Sequence, residues 1–343
     1  MLETLLGTRL IAHQQLGARD KVKRDSFRLE TLDRPFDVDL YRPKGAGNGR
    51  LIMFVHGMTV RGHRDDRVLD FCSALACLGF RVAVPLFELI RDLYIDPRQI
   101  DECAATLLAL ADSEQLCPHR RLGLMAPSFS GNIAMIAATR PEVVNRVSSI
   151  CTIGSYANID TALEFLLEAE HADEYGKLIT LWNFIEHGIG RKKRVIEGFR
   201  IAALDNGHRR ENTAEAGLPP YLETLRARER ALFQELRHDR VARLAAWAKA
   251  YRTRPLQEIV SAFDLMPRLN QVKCPVTLVH GRDDDVIPAT ESELLYEKLV
   301  RNGTPAKLCL TQLISHGDAE VGPSMLPDAL RLAGSFGYFL KHV

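Results

Sequence analysis

The sequence predicts an α/β fold: a mostly parallel central sheet flanked by helices, with an all-helical cap inserted into it. Three observations carry that expectation. Short apolar runs alternate with helix-length amphipathic segments from residue 51 to 154, and the same rhythm returns from 275 to 341. Between those stretches the chain is helical and heavily charged, with no strand pattern. A chain of 343 residues, 46% hydrophobic, is long enough for one large core that carries a sizeable insertion. The expected division is a core of residues 1–157 and 272–343 and a cap of residues 158–271.

The elements follow in order. Residues 2–16 place Leu2, Leu5, Leu6 and Leu10 near helical spacing, which predicts a short helix packed on the domain. Residues 26–31 and 36–41 alternate as strands do, and a glycine-rich turn at 45–49 leads into the continuous apolar run 51–55. A run of that kind suits a central strand covered on both faces. Then come a helix at 67–78, a strand at 81–84, a helix at 99–112, a strand at 121–126, a helix at 131–139 and a strand at 147–154. Within the cap, helical periodicity marks 161–168, 177–187, 221–236 and 241–251, with a break at Gly217-Leu218-Pro219-Pro220. The core resumes with a strand at 275–279, a helix at 291–300, a strand at 307–313 and a closing helix at 328–341.

Composition removes several function classes. A formal charge of +1 offers no global field for nucleic acid or an anionic surface. No stretch approaches the roughly 20 uninterrupted apolar residues of a membrane span. The start of the chain has neither a basic n-region nor an unbroken apolar h-region. Seven scattered cysteines without a Cys-x-x-Cys pair read as buried free thiols, which points to a reducing, cytoplasmic setting. The sequence carries no signal for oligomeric state.

The chemistry centres on Leu124-Met125-Ala126-Pro127-Ser128-Phe129-Ser130-Gly131, a strand, a tight turn and the start of a helix. A nucleophilic serine needs that turn to lift its Oγ above the sheet, and small residues on either side of it. Ala126 and Ser130 meet the demand around Ser128. Two alternatives stand beside it: Ser128 as a helix N-cap, and Ser130 as the nucleophile. Met58, in His56-Gly57-Met58 after the buried strand, and Phe129, after the serine, would supply backbone N–H groups to an oxyanion hole. His56 itself reads as a support for the loop. An acidic turn, Asp283-Asp284-Asp285, follows the strand at 275–279, and any of the three could orient an imidazole. A lone histidine, His316, follows the last strand.

In this chain order the set resembles the α/β-hydrolase superfamily, in the branch with a helical cap after the sixth strand. The resemblance covers residues 26–156 and 272–343. Gly281-x-x-Asp284-x-x-x-Pro288 is similar to the family's acid turn and favours Asp284 over its neighbours. The resemblance implies Ser128 as nucleophile, His316 as base and Asp284 as the orienting acid. Ala126 and Ser130 stand where the family usually has glycines, which leaves the subfamily open.

The activity implied is cleavage of a carboxylic ester or thioester of a small-molecule acyl substrate through an acyl-enzyme, with no metal or organic cofactor. A serine at the turn argues against branches that attack with a carboxylate. The alternative on the same triad is an acyltransferase. A non-catalytic binding protein of this fold generally lacks a triad member, and here all three positions are filled. Leu166, Leu167, Leu178, Leu181, Trp182 and Phe184 are candidates to line an acyl pocket in the cap; the competing reading is ordinary helix-packing core.

Overall fold

A computed structural model describes residues 2–213, 216–314 and 326–343. The chain begins with α1 (Leu2–Gln15), whose fully buried Leu10 anchors it to the domain. Glu3 on this helix pairs with Lys341 at 3.0 Å, on the chain's last helix. Next come β1 (Val22–Leu29), β2 (Phe36–Pro43) and β3 (Leu51–Phe54). The expected strand at 26–31 therefore starts earlier. It is an edge strand with six of its eight residues exposed or half-buried, so Lys23, Arg24 and Asp25 mask its apolar signal.

The alternation then follows the expected course: α2 (Asp66–Cys77), β4 (Arg81–Pro85), the short α3 (Glu88–Arg91), α4 (Arg98–Asp112), β5 (Leu122–Pro127), α5 (Phe129–Ala138) and β6 (Val147–Ile153). Among the described residues, every regular element from 158 to 271 is helical. These are α6 (Ile159–Glu168), α7 (Glu174–Phe184), α8 (Glu186–Ile189), α9 (Lys193–Arg210), α10 (Leu218–Thr224), α11 (Ala227–His238), α12 (Arg240–Tyr251) and α13 (Arg254–Ala262), followed by a 3₁₀ turn. The expected break at 217–220 is the start of α10, with proline in its first turn, where a missing N–H costs nothing. The core closes with β7 (Val276–Gly281), α14 (Ala289–Arg301), β8 (Ala306–Thr311) and α15 (Leu326–His342).

Among the described residues, eight strands form one sheet in the order β1-β2-β4-β3-β5-β6-β7-β8. β1–β2 and β2–β4 are antiparallel, and every other neighbouring pair is parallel. Two apolar layers cover it: α1, α2 and α15 supply Leu10, Val68 and Phe336 on one face, and α4, α5 and α14 supply Leu107, Ile133 and Leu295 on the other. The chain turns to one side of β3 to make β4 and to the other to make β5. At such a switch point the connections diverge and leave a crevice at the carboxyl ends of the strands.

All seven cysteines are free, and burial pushes the thiols of Cys72, Cys103 and Cys151 up. No described helix is long and apolar enough to cross a membrane.

Candidate active site

β5 ends at Pro127 and α5 begins at Phe129, so Ser128 is the whole of the turn between them. Its backbone sits at φ 53°, ψ −139°. For a residue with a Cβ that conformation costs on the order of 1–3 kcal/mol and persists only where surroundings impose it. They do so here: the Ser128 N–H donates to the Ile153 carbonyl at 2.6 Å, and its own carbonyl accepts from the Gly131 N–H at 2.9 Å. Ser128 occupies the N-cap position of α5, yet its hydroxyl makes no capping bond. Helix capping therefore does not account for it. Ser130 is placed quite differently, fully buried and donating its hydroxyl to the His56 carbonyl at 2.6 Å.

His56 holds the loop after β3. The Phe87 N–H donates to its Nε2 at 3.1 Å, so the ring proton is on Nδ1, which donates to the Gly57 carbonyl at 2.9 Å. Complete burial depresses its pKa to about 4, which keeps the ring neutral. That carbonyl belongs to the same peptide unit as the Met58 N–H. In a trans peptide the two point in opposite directions, so fixing one aims the other. The Phe129 N–H lies at the first position of α5 and has no acceptor within its own helix.

In the acidic turn, Asp284 Oδ1 accepts the N–H groups of Val286 and Ile287, both at 2.9 Å. Its Oδ2 is 3.5 Å from His280 Nε2, and that nitrogen donates to the Ile287 carbonyl at 2.8 Å. Oδ2 also rests against Gly154, whose φ is +67° and where a Cβ would come within 3.2 Å of it. Glycine after β6 thus serves both the turn and the carboxylate's approach.

A cavity of about 400 Å³ lies over these strand ends, lined by Met58, Ser128, Phe129, Gly154 and Asp284. Asp283 and Asp285 do not reach it. His316 lies outside the described residues; Leu313 and Ile314, which precede it, line the cavity. Four of the five site residues singled out by sequence thus share one space.

The helical stretch 158–271, where a cap is expected, contributes Ile159, Leu163, Leu166, Tyr175, Gly176 and Ile179 to the lining. Of the six residues offered either as pocket lining or as helix-packing core, Leu166 alone lines the cavity. Leu167, Leu178, Leu181, Trp182 and Phe184 are buried in the apolar core. Periodicity identifies an apolar helix face, but not which residue on it meets an empty space.

Charged side chains also line the cavity, a feature with no signal in the sequence. Arg67 Nη2 meets Asp65 at 2.6 Å and Glu211 at 3.2 Å. Burial works to raise the Asp65 carboxyl, but hydrogen bonds from Arg67 outweigh it and hold it below the usual carboxylate range. Burial and the nearby Asp65 charge push Glu211 up. Arg210 pairs with Asp173, at the start of α7. These residues come from the start of α2, the start of α7 and the end of α9, so only the tertiary fold assembles them. Among the described residues, no three His, Cys, Asp or Glu side chains are grouped to hold a metal ion.

No family model and no curated protein matches the sequence. Solved structures do. An acylaminoacyl peptidase of Pyrococcus horikoshii superposes with a TM-score of 0.54 at 14% identity, over 94% of this chain and 41% of that one. A thermostable esterase from Pseudomonas putida ECU1011 gives 0.54 at 13% identity, over 100% of this chain and 92% of that one. Brefeldin A esterase, described as a bacterial homologue of human hormone-sensitive lipase, gives 0.55 at 15%, over 99% and 87%. The chain spans about two fifths of the length of the peptidase it resembles. At these identities what is shared is the architecture: the chain has the α/β-hydrolase fold.

Proposed function

We propose that this chain of α/β-hydrolase fold is a serine hydrolase acting on a carboxylic ester or thioester, with Ser128 as nucleophile, His316 as base and Asp284 orienting that base. Ser128 Oγ attacks the acyl carbonyl while His316 takes its proton. The negative oxygen of the tetrahedral intermediate is met by the N–H groups of Met58 and Phe129. Collapse breaks the acyl bond to the alcohol or thiol, which leaves with the proton from His316. Water, deprotonated by His316, then attacks the acyl-enzyme and releases the acid, and Ser128 recovers its proton.

The observation that carries this reading is the state of Ser128. It is held in a strained turn, makes no capping bond, and faces a cavity shared with Asp284 and both oxyanion donors. The apolar cap wall suits an acyl chain. Ester is put ahead of amide because the esterases align over 87–92% of their length and the peptidase over 41%.

The test is labelling with a fluorophosphonate probe followed by mapping of the modified residue, then a panel of acyl esters, thioesters and aminoacyl anilides. Covalent label on Ser128 and turnover of esters or thioesters are expected. Label on Ser130, or turnover of anilides alone, overturns the assignment. Product analysis with added alcohol separates hydrolysis from acyl transfer.

A further inference from the structure

Asp173, Tyr175 and Arg210 of the cap form a relay that touches the two catalytic loops of the core. The Tyr175 hydroxyl, on the first turn of α7, donates to the Met58 carbonyl at 3.2 Å. Burial pushes its pKa up, so the phenol remains a donor. The Arg210 guanidinium lies over the Tyr175 ring, 4.9 Å from its centroid, and pairs with Asp173. Asp173 caps α7 by accepting the Gly176 N–H at 2.7 Å, and its own N–H donates to the Asp285 carbonyl at 2.8 Å. The relay runs from the acid turn, through α7 and α9, to the loop that carries the oxyanion donor. Gly207 on α9 permits the approach: a Cβ there would lie 2.7 Å from Val60 and 3.2 Å from the Tyr175 hydroxyl.

We infer that Tyr175 is a positioning residue for the oxyanion hole, holding Met58 from the cap side while His56 holds it from the core side. This rests on the serine-hydrolase reading above. The physical reason lies in the loop itself. His56 fixes the peptide between Gly57 and Met58, which carries the donor N–H. The next carbonyl in the chain, that of Met58, is the one Tyr175 grips. With both flanks of Met58 tied, its N–H has one direction, and the donor is organised before charge develops on the substrate oxygen. Removing the phenolic hydroxyl leaves the His56 tie in place and frees the other.

Removing an oxyanion donor outright costs about 10²–10³-fold in kcat; loosening one is expected to cost less, about tenfold. The experiment compares wild type with Tyr175→Phe, which keeps the ring and its contact with Arg210. The substrate is the best p-nitrophenyl ester of the panel, and the second ligand is a boronic acid of matching chain length. The boronate forms a tetrahedral adduct on Ser128 with an oxygen in the oxyanion hole. The expected result is kcat lower by about tenfold, KM within twofold, and boronate affinity lower by about the same factor as kcat, with Tm unchanged within two or three degrees. Arg210→Met should show a smaller loss of the same kind. The double variant should lose less than the product of the two, as members of one relay do. Tyr221→Phe deletes a cap hydroxyl that donates to the Arg194 carbonyl at 2.8 Å, outside the cavity lining, and should leave kcat and boronate affinity unchanged.

Unchanged kcat and boronate affinity in a folded Tyr175→Phe overturns the inference, and so does a loss confined to KM, which would make Tyr175 a substrate contact. Wild type that is labelled at Ser128 and active, with an indifferent Tyr175→Phe, brings down this inference alone. Wild type that is neither labelled nor active brings down the hydrolase reading and this inference with it.

Discussion

The carboxyl edge of the sheet and the cap that faces it build one cavity in different ways. At the edge, the backbone does the placing. Ser128 is set by a turn with φ 53°, the Met58 peptide by the His56 clamp, and Asp284 by two N–H groups of its own loop. In the cap, side chains on α6 and α7 form a mostly apolar wall that includes Thr180, and beside it stand the charged Asp173, Arg210 and Glu211 and a polar strap through Tyr175. A backbone-placed group has few substitutes, whereas a wall of Leu and Ile tolerates change at modest cost. Changes at the edge should therefore abolish chemistry, and changes in the apolar wall should alter which acyl group is accepted.

The sharpest test of the edge is Ser128→Ala. Loss of the nucleophile should lower kcat about 10³–10⁶-fold with Tm preserved. Relief of the positive-φ strain is not expected, because alanine has the same Cβ. The matching variant Ser130→Ala should lose stability by about 1 kcal/mol, through its bond to the His56 carbonyl, and keep most of its activity. A dead Ser130→Ala beside an active Ser128→Ala would reverse the assignment.

Next in size is Asp284→Asn. An amide cannot stabilise an imidazolium, so kcat should fall about 10⁴-fold. Asp285→Asn should change kcat less than twofold, since Asp285 lies outside the cavity lining and is used through its carbonyl. Equal losses from the two would mean that the acid turn is read in the wrong register.

What sequence could and could not reveal follows the same division. Strand ends are legible because a buried parallel strand is a short apolar run whose exit carries turn residues, as at Pro127 and Ser128 after β5 and at Gly281 ending β7. The sequence favours Ser128 over Ser130 only through its flanks, since Asn132 fits the small-residue demand around Ser130 less well than Ser130 fits it around Ser128. The choice depends on which hydroxyl meets the His56 carbonyl, a contact 74 residues away. The cap was legible as helix and no further. Trp182 and Phe184 are as apolar as Leu163 and Ile179, but the first pair is buried in the apolar core and the second pair faces the cavity. Asp65, Arg67, Arg210 and Glu211 were not legible as a group, because Glu211 meets Arg67 across 144 residues and Arg210 meets Asp173 at the start of another helix.

His56 tests the edge without any substrate. Buried and neutral, its ring should stay unprotonated down to about pH 4, as followed by its imidazole NMR signals. The sign follows from linkage. In the unfolded chain the ring protonates near 6.5 and in the folded one near 4, so as pH falls between them protons bind the unfolded state preferentially and stability drops. For this one group the loss is about 3 kcal/mol. His63, lowered mainly by burial, adds in the same direction. A His56 ring that titrates near 6.5 in the folded protein would mean that the clamp on the Met58 peptide is not closed.

The smallest effects belong to the apolar wall of the cap, where they should appear as selectivity and not as rate. Leu163→Trp places a larger ring at the wall formed by α6. Each acyl methylene it excludes should reduce kcat/KM for the longer ester by about tenfold relative to the shorter one. Leu178→Ala, fully buried in the apolar core, should cost about 2–5 kcal/mol of stability and leave the chain-length preference where it was. The comparison turns on this pair: two apolar residues on neighbouring helices, one facing empty space and one facing neighbours. If Leu178→Ala shifted the preferred acyl length and Leu163→Trp did not, the acyl chain would lie between the cap helices, not between the cap and the sheet.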